Sequence, residues 1–215
     1  MANTNAPFGF RQFGRAEGGA PTAGFDRLFI NSSDTNLYFT GDIVNRSSAN
    51  NAFITNPSSA VGIINEYGMA GVFLGCEYYS ATVGRVVWSS YFPGNVGSSS
   101  PANAYVCTDD KQRYIVQGTS GAVLTSTSIG MGYTATVQNS SLGNQATGQS
   151  VMTLASSFPT GLSSNAVIRV VDLYSNYAPP GVNGTSTGAE GFQVAVVQLV
   201  GLAFQQASGL VYPTT

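Results

Sequence analysis

A chain of 215 residues with no histidine, a single lysine and only 8% charged side chains is short of the groups from which proton-transfer and phosphoryl-transfer sites are built. Its net charge of −2 and pI near 4.9 leave no basic footprint for a phosphate backbone, and no run approaches the roughly 20 apolar residues that span a bilayer. The expectation is therefore a non-enzymatic protein with no nucleic-acid partner and no membrane partner.

Residues 1–25, MANTNAPFGFRQFGRAEGGAPTAGF, are rich in Gly, Ala and Pro and keep no sustained period. They read as an extended N-terminal arm. The arm carries Phe8, Phe10, Phe13 and Phe25 with Arg11 and Arg15, and aromatic side chains beside arginine are the enrichment of interface hot spots. Two courses are open to it: reaching out to a partner, or folding back on its own core.

Residues 26–215 read as one all-β domain, a sandwich or barrel. Aromatic and β-branched residues suit a pleated surface, while Gly and Asn supply turn positions with positive φ. In chain order the predicted strands are 26–30, 37–40, 71–79, 84–92, 104–108, 113–117, 133–137, 151–155, 167–174 and 192–200, separated by Gly, Asn, Ser and Pro clusters. No window of helical length keeps an i, i+3, i+4 stripe. Segments 45–60, 93–103 and 175–191 are predicted loops.

Alternation assigns the faces. Val72, Leu74, Cys76 and Tyr78 share one face of their strand, with Glu77 on the other, which points Cys76 toward a core. Trp88 alternates with Val86 and is assigned to core packing. Phe192, Val194, Val196 and Val200 oppose Ala195, Val197 and Leu199, so this strand, apolar on both faces, is central or covered by a neighbouring subunit.

Few motifs carry chemistry. Cys76 and Cys107 read as small buried side chains, not a disulfide, because the first residues lack the apolar core of a secretory signal. With no histidine and no C-x-x-C spacing, neither a metal nor a cofactor is expected. Lys111, flanked by Asp109, Asp110 and Arg113, is predicted on a solvated, hairpin-like turn. Glu66, Glu77, Asp109, Asp110 and Asp172 are read as surface acids and turn formers, unless two of them converge in a cleft as a hydrolytic pair. The N-x-S/T triplets at Asn31, Asn45, Asn139 and Asn183 are expected by chance in a chain so rich in these residues.

A surface solvated mainly by hydroxyls and amides is cheaper to cover than an ionic one, which suits an assembly. The segments NAPFGFRQFG (5–14), SSDTNLYFTGDIV (32–44), GVFLGCEYYSATVGRVVWSSYFPG (71–94), AYVCTDDKQRYIVQ (104–117) and VIRVVDLYSN (167–176) together resemble the capsid cement or decoration proteins of tailed bacteriophages. Members open with a similar arm, followed by a GVFxGCEY-like strand, an aromatic turn ending in PG and a late VIRVVDL-like strand. Two features depart from the pattern: Lys111 follows Asp109 and Asp110 where the family often has proline, and the C-terminus stays apolar through Phe204.

The resemblance implies a jelly-roll-like β-sandwich on the outer surface of an icosahedral capsid, made in the host cytoplasm and clamping subunits of the major capsid protein. It also implies a homo-oligomer, dimer before trimer. In the arm, Phe8, Phe10, Arg11, Phe13 and Arg15 are the expected capsid-binding residues. The alternative is a receptor- or carbohydrate-binding module of a phage tail, with Tyr91, Phe92 and Tyr177 as its aromatic platform.

Overall fold

The computed structural model describes residues 6–19, 24–47, 49–50, 52–55, 68–97, 100–119, 124, 126–136, 143–155, 168–174 and 193–200. The strands are β1 (Arg11–Arg15), β2 (Asp26–Ile30), β3 (Tyr38–Phe39), β4 (Ile43–Arg46), β5 (Ile54–Thr55), β6 (Met69–Ser80), β7 (Arg85–Ser89) and β8 (Tyr91–Phe92), then β9 (Ala102–Cys107), β10 (Gln112–Gln117), β11 (Gly132–Tyr133), β12 (Ala135–Thr136), β13 (Thr153–Leu154), β14 (Ile168–Leu173) and β15 (Val194–Leu199). One short 3-10 turn, Ser126–Ser128, is the described helical element.

The chain forms an all-β sandwich. A five-stranded antiparallel sheet has the order β1-β10-β15-β14-β11. Against it packs a six-stranded sheet of order β2-β9-β6-β4-β5, in which β7 is a further partner of β6. The second sheet curls: β5 returns beside β2, where the Phe29 N–H donates to the Ala52 carbonyl at 2.9 Å and Phe29 bridges Phe53 in parallel. Two small ladders, β3-β8 and β12-β13, complete the pairing.

This curl creates two cores. One lies within the six-stranded sheet and gathers Ile30, Tyr38, Val44, Phe73, Cys76, Phe92, Ala104 and Val106. The other lies between the sheets, where Tyr114, Val116, Val170, Ala195 and Val197 of the five-stranded sheet meet Ile43, Met69, Val72 and Cys107 of the curled one. Both cysteines are buried and free, one in each core. β15 is central, flanked by β10 and β14, and both its faces are buried, as its two-sided apolar pattern predicts.

Several expectations change. The 71–79 pattern does not keep one face, because the β6–β9 register shifts between Phe73 and Gly75. That bulge gives β6 one extra residue, so Val72 and Leu74 face the inter-sheet core while Cys76 and Tyr78 face the core of the curled sheet. Trp88 is not a core residue. It is 61% exposed and Val86 64%, because among the described residues β7 pairs only with the far end of β6 and nothing packs on its outer face. The segment 108–111 is not a hairpin: β9 and β10 belong to different sheets, so it crosses between layers. The predicted strand 84–92 is broken at Ser90 and 133–137 at Thr134, and β4 and β5 extend into the predicted loop 45–60. The loop 175–191 lies outside the described residues.

One buried acid escaped the sequence reading. Asp42 is 7% exposed and accepts hydrogen bonds from the Phe39 N–H at 2.8 Å and from the Ser150 hydroxyl. Burial outweighs these bonds and pushes its carboxyl up to about 6. Its own carbonyl accepts from Phe73 N–H at 2.8 Å, fixing the bulged part of β6.

Candidate functional site

Two surfaces on different sheets concentrate exposed aromatic side chains. The first is built on β1. Gln12 pairs with Tyr114 and Gly14 with Arg113, and the register shift between them leaves Phe13 at an irregularity of the strand. β1 ends the five-stranded sheet, so among the described residues it pairs on one side only. An edge of this kind presents unpaired backbone groups to a partner chain.

The five residues expected to bind the capsid are placed very differently. Phe10 is 2% exposed and packs edge-on to Tyr114 with ring centroids 6.4 Å apart. It is a core residue and not an external anchor, because the chain crosses Gly41 just before β1 and turns this ring inward; the Phe10 N–H donates to the Gly41 carbonyl at 2.9 Å. Phe8 is half-buried, with the exposed Arg11 guanidinium 5.5 Å from its ring centre. Phe13 is 45% exposed and meets Tyr174 edge-on at 5.4 Å. Arg15 turns toward Asp109, Nε to Oδ2 3.1 Å, tying β1 to the crossing segment.

The second surface is the outer face of the curled sheet beyond the bulge. Register places Glu77 between Asn103 of β9 and Trp88 of β7, and Tyr79 opposite Val86. Gly75, opposite Tyr105, lies beneath the indole: a Cβ built there would stand 2.7 Å from Trp88 Cζ2, and φ is +149°. Glycine is thus required both by space and by backbone. Tyr105 donates its hydroxyl to Glu77, which raises the phenol's pKa, and its ring meets Phe25 edge-on at 5.1 Å.

The last β6–β9 pair is Glu77–Asn103, so β6 runs on past the start of β9. At this step lies a cleft of about 410 Å³ lined by Glu77, Tyr78, Tyr79, Val86, Ser100, Pro101 and Asn103. Sequence reading singled out Glu77 as an acid on the strand face away from the core; Tyr79, next to a turn and outward by alternation, was the available signal for the rest.

The remaining candidates are dispersed. Asp109 accepts the Lys111 N–H at 2.8 Å as a turn former, and the Asp110 carbonyl accepts from Gln198 at 2.6 Å. Asp172 lies on β14 and accepts its neighbour Leu173's N–H. Glu66 is outside the described residues. Lys111 is exposed. Among the described residues no group of three or more Cys, Asp or Glu is placed to hold a metal ion, and no described helix is long and apolar enough to cross a membrane. The platform assigned to Tyr91, Phe92 and Tyr177 does not assemble as expected: Phe92 is fully buried and Tyr91 stacks on Phe39 at 5.7 Å, while Tyr177 is outside the described residues. Comparison with protein-family models, curated proteins and solved structures finds no match.

Proposed function

We propose that this protein is a non-enzymatic virion component, a cement or decoration protein that binds the outer surface of a tailed-phage capsid and holds major capsid subunits together. The single observation that carries this reading into the structure is the open edge of β1, with Arg11 and Phe13 exposed along it and Phe8 beside it. A capsid subunit can add a strand to that edge, with main-chain hydrogen bonds supplying affinity and Phe13 and Arg11 supplying selectivity. The sequence resemblance to cement proteins and the sparse surface charge support the same reading.

A cement protein works by multivalency. Confined DNA pushes the shell outward, and a protein bound to two or more subunits must be released from each before they separate. Each further attachment is intramolecular, so modest contacts combine into strong retention. Self-association into a dimer, before a trimer, follows the local symmetry of such a shell.

The test is co-sedimentation with undecorated heads. Wild-type protein is expected to saturate at a fixed ratio to capsid subunits, and the double variant Arg11→Glu, Phe13→Ser to bind at least tenfold more weakly. Point variants are needed because truncation through residue 15 would also remove β1 and the core ring of Phe10. Absence of saturable binding by folded wild-type protein overturns the capsid reading.

A further inference from the structure

The cleft beside the β6–β7 hairpin has no part in the capsid contact proposed above, which uses the other sheet. Its chemistry is specific. Tyr79, 46% exposed, lines the cleft, and Trp88, 61% exposed, lies on the same face of the neighbouring strand outside that lining; aromatic rings left in water on a sheet face carry an unmet apolar area. Between and beside them are polar groups that do not belong to a hydrophobic protein interface: the Glu77 carboxylate, the Asn103 amide and the Ser100 position.

Glu77 is oriented, because the Tyr105 hydroxyl donates to it. A carboxylate accepts several hydrogen bonds and a neighbouring amide both donates and accepts. That pairing matches the vicinal hydroxyls of a pyranose, whose C–H face is apolar and stacks on an aromatic ring. The cleft volume of about 410 Å³ falls within the range of small-ligand sites. An uncharged sugar is selected, because Glu77 is the ionisable acid lining the cleft and would repel an anionic one. Arg27 is held over the Phe29 ring, 5.9 Å from its centre, and does not line the cleft.

We infer that the step between β6, β7 and β9 is a binding site for a neutral glycan, with Tyr79 as the stacking surface and Glu77 and Asn103 as hydroxyl partners. On a capsid exterior such a site would give a particle weak attachment to a polysaccharide, summed over its many copies.

The chain has one tryptophan, and Trp88 pairs with Glu77 in the β6–β7 register, so its fluorescence reports on the strand pair that borders the cleft. Full-length protein is titrated with neutral hexasaccharides of glucose, galactose, mannose and N-acetylglucosamine at millimolar concentration. At least one is expected to shift Trp88 emission with saturation, and Tyr79→Ala and Asn103→Ala are each expected to weaken binding at least tenfold with unchanged circular dichroism and Tm. No saturable shift with any of these sugars overturns the inference, as does binding that both variants leave intact. The same variants are expected to co-sediment with heads like wild type, so failure here is separable from failure of the capsid reading.

Discussion

The two ends of β6 belong to one continuous strand and live in different environments. From Met69 to Phe73 the strand is buried on both faces, between the inter-sheet core and the core of the curled sheet. From Gly75 to Ser80 it keeps its inward residues Cys76 and Tyr78 against the inner core, while Glu77 and Tyr79 look outward past the covering sheet. The bulge between Phe73 and Gly75 is where one regime gives way to the other. The first end spends its side chains on stability; the second leaves them to a ligand.

That contrast breaks most severely at Phe73, which is fully buried. Phe73→Ala is expected to destabilise the fold by about 3–5 kcal/mol through lost transfer energy and a cavity, measured by urea unfolding. A loss below about 1 kcal/mol would mean that the covered end is not packed as described.

Next in size is the acid that anchors the bulge. The folded-state pKa of Asp42 stands at about 6, above its ordinary value of 3.8, so between those values the folded state binds more protons than the unfolded one. Linkage then makes this group's contribution fall as pH rises from below 4 through 6, by roughly 3 kcal/mol for a shift of about two units. Asp42→Asn keeps an acceptor for Phe39 N–H and removes the charge. The wild type is therefore expected to lose stability relative to this variant across pH 4–6.5, read from paired urea curves; a constant difference would refute it.

A smaller effect is expected at the junction itself. Gly75→Ala places a methyl 2.7 Å from the Trp88 ring at φ +149°, costing roughly 1–3 kcal/mol and displacing the indole, which the tryptophan emission spectrum would report. Smallest is Tyr79→Ala at the bare end, expected within about 0.5 kcal/mol of wild type while weakening glycan binding at least tenfold. Equal destabilisation by Tyr79→Ala and Phe73→Ala would erase the distinction between the two ends.

Much of the fold was legible in the sequence. Segment 26–30 is β2 as predicted, 113–117 lies within β10, and 192–200 contains β15, because longer runs of β-branched and aromatic residues bounded by turn formers carry a clear period. β4 and β5 were hidden by polar residues and by brevity: Asn45 is buried without being apolar, and two residues hold no period. β1 was hidden by Gly14 and its irregular register. Of the candidate site, the arm aromatics were visible as a group, but not that Phe10 turns inward while Phe13 stays out. Trp88 was misassigned because alternation says which residues share a face and not whether anything covers that face.

The sequence by itself determined the all-β character, most strand positions, the two-sided burial of β15 and the burial of both cysteines, since each follows from local periodicity and from the cost of exposing apolar runs. Only the tertiary structure decided that β9 and β10 part into different sheets, that the second sheet curls onto itself, and that a one-residue bulge exchanges the faces of β6. These depend on which distant segments pair and how far each layer extends, and a local pattern of period two contains neither quantity.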